Sequence, residues 1–172
     1  IVMDSSTTVR KIIGRVYEAR GCIVKNADNG VTGLNMLTEE EFDIALVDFD
    51  LPPMGGIDMM RQFKAVLDDE IAWREKGYGS TSSKRKKILN ENMLLIGISD
   101  GIAPSEHVYD DNNMHLYCTK PVNTDFLQMI LKARKSHDSL DEMLVYIETN
   151  AAKLLNSKNK PVSRSASKIV PL

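Results

Sequence analysis

The chain reads as an α/β protein built on a parallel sheet, and three observations carry that reading. Short apolar runs at Ile1-Val2-Met3, Ile44-Ala45-Leu46-Val47, Leu94 to Ile98 and Leu116 to Thr119 alternate with segments whose apolar residues fall at helical spacing. Each run is closed or followed at once by a reactive residue type: Asp4, Asp48, Ser99 and Lys120. The composition, 42% apolar and 6% aromatic over 172 residues, suits one ordinary α/β core with appendages. Ligands of open parallel sheets bind outside the carboxyl ends of the strands, so two acids, a hydroxyl and an ammonium are expected to converge there.

In order, Ile1 to Met3 is the first strand, and Ser6 or Thr7 caps a helix bearing Val9, Ile12, Ile13, Val16 and Tyr17 on one face. Gly21 ends that helix, Cys22 to Lys25 reads as strand two, Asn29-Gly30 as a turn and Val31 to Leu37 as a short helix. Strand three, Ile44 to Val47, leads into a helix carrying Met60, Phe63, Leu67 and Ile71, with Met59 and Met60 read as core. Residues 68–92 read as an insertion, with Gly77, Gly79, a Ser/Thr run from Ser80 to Ser83 and the basic Lys84-Arg85-Lys86-Lys87. A solvated loop is the plain reading of such a tract; a basic docking patch or import signal is the sharper one. Leu94 to Ile98 and Leu116 to Thr119 are strands four and five, and Pro104 to Asp111 between them offers few apolar anchors for a helix.

Asn123 then caps a helix with Phe126, Met129, Ile130 and Ala133, completing a domain over residues 1–137. Ser139-Leu140-Asp141-Glu142 is a capping box opening a further amphipathic helix, residues 138–156, with Leu140, Met143, Leu144, Ile147 and Leu154 on one face. That face must be covered, by the domain itself or by another chain. A helix-mediated homodimer or a contact with the parent protein is the favoured expectation. The tail, residues 157–172, has lysines and an arginine without acids and reads as flexible.

The most informative stretch is Asp48-Phe49-Asp50-Leu51-Pro52-Pro53-Met54-Gly55-Gly56, an acid at the exit of a buried strand followed by a Pro/Gly turn. An acid held there is costly unless solvated, paired or bound to metal. With Asp4-Ser5, Arg10, Ala27-Asp28-Asn29-Gly30, Ser99, Tyr117 and Lys120-Pro121-Val122 in order, the chain resembles the receiver (response-regulator) domains of two-component and phosphorelay signalling over about its first three quarters. The resemblance implies a flavodoxin-like fold with strand order 2-1-3-4-5 and helices on both faces. It further implies that Asp48 takes a phosphoryl group from a phosphohistidine on a histidine kinase or histidine phosphotransfer protein. Asp4, the Asp48 carboxylate and the Asp50 carbonyl would hold Mg²⁺, Ser99 and Lys120 would engage phosphoryl oxygens, and Tyr117 would be the aromatic switch. Phosphoryl transfer is mostly positioning and charge neutralisation, which a hard cation, an ammonium and a hydroxyl supply. The parent is expected to be a hybrid histidine kinase or a related phosphorelay protein, the receiver itself not being a conventional enzyme.

Three positions depart from the family pattern. Ser5 stands where a second acid is usual, Gly55 replaces an aspartate, and Asp100 follows Ser99 where a small residue is typical. Asp100 either restores part of the lost negative charge or repels incoming phosphate, and the sequence leaves both open. A pseudo-receiver acting only through protein contacts is one alternative. A phosphatase of the haloacid dehalogenase type is another, suggested by Asp48-x-Asp50, Ser99 and Lys120. A complete strand-helix-strand-helix unit before Asp48 argues against it.

A net charge of -2 opposes a nucleic-acid-coating surface, and no apolar run approaches the ~20 residues that span a bilayer. An intracellular, cytoplasmic setting is expected, with no membrane contact from this segment. Ile1 opens within a strand without an initiator Met, so a piece of a longer polypeptide is expected. On the implied fold Cys22 and Cys118 lie on opposite edge strands, about 19 Å apart by four strand spacings. A disulfide tolerates about 7 Å, so both are expected to be free thiols.

Overall fold

Ile44–Asp48 forms the centre of the sheet because its residues are apolar on both faces, as a parallel strand covered by helices on both sides requires. The computed structural model describes residues 1–76, 90, 92–100, 114–154 and 162–163. The strands are β1 (Val2–Met3), β2 (Asn26–Ala27), β3 (Ile44–Asp48), β4 (Leu94–Ser99), β5 (Leu116–Thr119) and β6 (Val162–Ser163). Five of them run parallel in the order β2-β1-β3-β4-β5, the expected arrangement. The helices are α1 (Thr7–Glu18), α2 (Gly30–Glu39), α3 (Gly56–Glu75), α4 (Thr124–Ser136) and α5 (Leu140–Leu154).

Strand side chains alternate between two cores, as the period of two demands. Val2, Leu46, Ile96, Ile98, Leu116 and Cys118 meet Ile13 and Tyr17 of α1 and Phe126 and Ile130 of α4. Met3, Ala45, Val47, Leu95 and Tyr117 meet Leu37 of α2 and Met59, Met60 and Phe63 of α3. Met59 and Met60 are fully buried, as the reading of them as core requires.

Three caps fall where the sequence offers them, at Ser6, Asn123 and Ser139, and Asn29, read as part of a turn, caps α2 as well. Ser6 accepts from the Val9 amide, Asn29 from Thr32, Asn123 from Asp125 and Ser139 from Glu142. Each satisfies a first-turn amide that the helix itself cannot pair.

Several expectations are corrected. Strand two lies at Asn26–Ala27, after Cys22 to Lys25, because its neighbour β1 pairs only through Val2 and Met3. Ile23 is left 93% exposed, while Cys22 and Val24 pack against the α1/α4 core. Both cysteines are free, but neither lies on an edge strand: Cys22 precedes β2, and β6 lies outside Cys118. Residues 68–75, assigned to the insertion, continue α3, since Phe63, Leu67 and Ile71 keep one apolar face at four-residue spacing. The glycine and basic tract that follows, including Lys84 to Lys87, lies outside the described residues, as does the expected helix at Pro104 to Asp111.

Asn90, a residue the sequence did not single out, closes the gap. It has φ of 63°, accepts from the Phe42 amide and donates to the carbonyls of Leu37 and Glu40, satisfying the C-terminal end of α2.

The face of α5 is covered by its own chain. Met143, Ile147 and Ala151 are buried in the α1/α4 core, with Leu140, Leu144 and Tyr146 packed at its margin. The expected dimer or parent-protein contact through this face is therefore replaced by fold-back packing on α4. Within the stretch expected to be flexible, Val162 and Ser163 pair antiparallel with Tyr117 and Leu116. Among the described residues no helix is long and apolar enough to cross a membrane.

Candidate functional site

Parallel strands bring their carboxyl ends to one edge, and register decides which residues meet there. Asp48 pairs with Ile98 and Ser99 with Thr119, so Asp48, Ser99 and Lys120 emerge side by side from β3, β4 and β5. The Phe49 amide donates to the Ile98 carbonyl at 2.9 Å and the Lys120 amide to the Ser99 carbonyl at 2.8 Å, extending the ladder past the strand ends. Asp4 follows β1, whose Met3 pairs with Val47.

Lys120 ties the acids together. Its Nζ lies 2.8 Å from Asp48 Oδ2 and 3.1 Å from Asp4 Oδ2. Asp4 is fully buried, Asp48 is 2% exposed and Ser99 6% exposed. Asp4 Oδ1 accepts from the Ser6 amide at 2.7 Å, and Asp48 Oδ1 from the Asp50 amide at 3.3 Å. Arg10 donates to the carbonyls of Asp4 and Ser5 and to Thr7 Oγ1, fastening the β1–α1 turn. That role was unassigned in the sequence, although Arg10 lies one turn into α1, within reach of the strand end.

The turn after Asp48 is held by close packing. A Cβ on Gly56 would stand 2.0 Å from the Asp48 carbonyl oxygen, so any side chain there would push the end of β3 out of place. Leu51 is buried beneath the turn. Tyr117 sits deeper, 4% exposed in the α2/α3 core and opposite Gly97.

Residues 1–71 match the family model of the response regulator receiver domain. That match and the relatives support a receiver domain of two-component signalling. It is 29% identical to the chemotaxis protein CheY-3 of Vibrio cholerae over 90 residues, which cover 52% of this chain and 68% of that protein. It is 30% identical to the sporulation initiation phosphotransferase F of Bacillus subtilis over 71 residues, covering 41% and 56% of the two. A receiver structure from Methanospirillum hungatei JF-1 superposes with a TM-score of 0.59 at 22% identity, covering 83% of this chain and 92% of that one, and so shares the fold.

Burial is the largest influence on Asp48 and raises its carboxyl pKa; the Lys120 hydrogen bond opposes that rise and Asp4 adds to it. Burial pulls the Lys120 ammonium down, but Asp48 and Asp4 outweigh burial and leave it raised. Burial likewise raises Tyr117.

The same residues fit a hard divalent cation. Asp4 Oδ2 is buried without an aligned hydrogen-bond partner, its closeness to Lys120 being a charge contact. A buried carboxylate oxygen held by a charge contact alone, beside a second carboxylate, suits Mg²⁺, which binds few protein oxygens and keeps water. Among the described residues no group of three or more His, Cys, Asp or Glu side chains forms a metal cage.

The departures from the family pattern have separate physical characters. Ser5 is exposed, and only its carbonyl is held by Arg10. A Cβ on Gly55 would meet the Phe49 carbonyl at 3.6 Å and Asp58 at 3.9 Å, ordinary contacts, so packing does not force glycine there. Asp100 reaches to 3.7 Å from Lys120 Nζ, a contact that its place beside Ser99 hinted at but could not fix. The Asp48-x-Asp50 motif ends the third strand, with β1 and β4 on either side, which opposes the dehalogenase-type phosphatase.

Proposed function

We propose that Asp48 is the phospho-acceptor of a Mg²⁺-dependent transfer from a phosphohistidine on a histidine kinase or histidine phosphotransfer protein, and that the modification switches protein contacts. What carries this reading is one ammonium, Lys120, bridging two buried carboxylates from different strands at the sheet's carboxyl edge. Buried charges are retained at such cost chiefly where they are paired and used.

In the transfer an Asp48 oxygen forms a bond to phosphorus as the bond from phosphorus to the imidazole nitrogen of the donor breaks, and the electron pair leaves with the histidine. Lys120 moves its pairing from the Asp48 carboxylate to the phosphoryl oxygens, and the Ser99 hydroxyl donates to one of them. Asp4, Asp48 and the Asp50 carbonyl would hold the cation, which would supply charge neutralisation for the transfer. Tyr117, buried three residues before Lys120, changes its packing as Lys120 and Ser99 are drawn in. Ser5 weakens the metal site by one carboxylate, which is the observation favouring a pseudo-receiver that signals by contacts alone.

Incubation with a small acyl-phosphate donor and Mg²⁺, followed by intact mass, is expected to show one added phosphoryl group in the wild type and none in Asp48→Ala. An adduct that survives in Asp48→Ala would sink the assignment. No adduct in the wild type would leave the contact-only module.

A further inference from the structure

We propose that Asp100 is an electrostatic brake on phosphoryl transfer at Asp48; the proposal rests on Asp48 being the acceptor. Asp48, Asp4 and Asp100 carry carboxylate oxygens 2.8, 3.1 and 3.7 Å from Lys120 Nζ. Their surroundings divide them sharply. The Asp4 and Asp48 side chains are 0% and 3% exposed, whereas that of Asp100 is 72% exposed. Asp100 therefore approaches the ammonium from solvent, the side from which a phosphoryl donor must come.

That placement opposes the transfer in two ways. The negative oxygens of the arriving group meet a like charge before they reach Asp48, and they must draw Lys120 away from a carboxylate that competes for it. Three carboxylates against one ammonium leave the edge negative, which attracts a cation and repels an anion. Measuring at saturating Mg²⁺ separates the second effect from the first. Charges a few ångströms apart in a water-rich setting change a rate by roughly three- to tenfold, and salt near 1 M, where the Debye length falls to about 3 Å, weakens such an effect.

The test compares wild type, Asp100→Asn and Asp100→Glu in the full chain, with a small phosphoramidate as donor, saturating Mg²⁺ and two ionic strengths. Asp100→Asn is expected to be phosphorylated roughly three- to tenfold faster than wild type at low salt, with the gap narrowing at about 1 M salt. Asp100→Glu, which keeps the charge, is expected to behave as wild type. Equal rates for wild type and Asp100→Asn, a slower Asp100→Asn, or a gap indifferent to salt would each overturn the brake while leaving Asp48 as acceptor. A wild type that takes no phosphoryl group at all overturns the Asp48 reading, and the brake with it.

Discussion

Asp48 is held in a compromise: Lys120 favours its ionised form, while burial and the Asp4 charge oppose it, and the opposition wins. The sign of the consequence follows from linkage. A carboxyl whose folded pKa lies above its ordinary 3.8 binds a proton more readily in the native state than in the unfolded one. Its contribution to stability is therefore greatest below that ordinary value and declines as pH rises through the interval up to the folded value. Asp48→Asn, which removes the charge and keeps the shape, is accordingly expected to raise Tm at pH 7 in the absence of metal, Lys120 keeping Asp4 as partner. Thermal unfolding from pH 3 to 8 checks this, the advantage shrinking toward the acid end; a lower Tm at pH 7 would contradict it. At this scale the acids, Ser99 and Lys120 were legible in the sequence because each ends or follows an apolar run. The reach of Asp100 to Lys120 was not, because side-chain contact depends on β4–β5 register and on rotamers that no local pattern encodes.

Among the elements, α5 best separates what pattern can and cannot say. Its capping serine and apolar face were plain, and the Ser139 hydroxyl does accept from Glu142. The identity of what covers the face was not, since the same residues serve fold-back packing or a partner equally well. Met143 and Ile147 are 0% and 1% exposed against the α1/α4 core, so the helix is part of the chain's own packing. Met143→Ala is expected to destabilise the protein by about 2–5 kcal/mol through lost contacts and a residual cavity. Truncation after Ser136 is expected to yield a monomer of lower Tm. Denaturant titration with light scattering reads both, and a truncated chain that loses a dimer yet keeps its Tm would restore the partner interpretation. Strand two failed for a related reason: Cys22 to Lys25 has strand composition, but pairing needs a neighbour, and β1 pairs in register with Asn26 and Ala27, reaching back only to the Lys25 carbonyl.

At the scale of the whole molecule, the proposed metal ligands come from the end of β1 and the end of β3, so a cation bound there would tie together strands that meet only through the folded sheet. A ligand that binds only the native state stabilises all of it, by about 2.7 kcal/mol at a hundred times its Kd. Mg²⁺ is therefore expected to raise Tm in a concentration-dependent way in the wild type, to lose that effect in Asp4→Asn, and to gain in potency in Ser5→Asp. Differential scanning measurements across a Mg²⁺ series check this without any phosphoryl donor. An unchanged Tm in the wild type at millimolar Mg²⁺ would remove the metal from the proposal.

By itself the sequence determined the parallel α/β class, the positions of β1, β3, β4 and β5 to within a residue or two, the helix caps at Ser6, Asn123 and Ser139, and the convergence of Asp4, Asp48, Ser99 and Lys120. These follow from hydrophobic periodicity and from the rule that parallel strands present their carboxyl ends together, both properties of short stretches of chain. Tertiary structure decided the covering of α5, the true place of β2, the β6 pairing beside Tyr117, the Asn90 bonds at the end of α2 and the third carboxylate at Lys120. Each of these joins residues distant in sequence, and only the folded sheet sets the distances that make one such pairing favourable and another impossible.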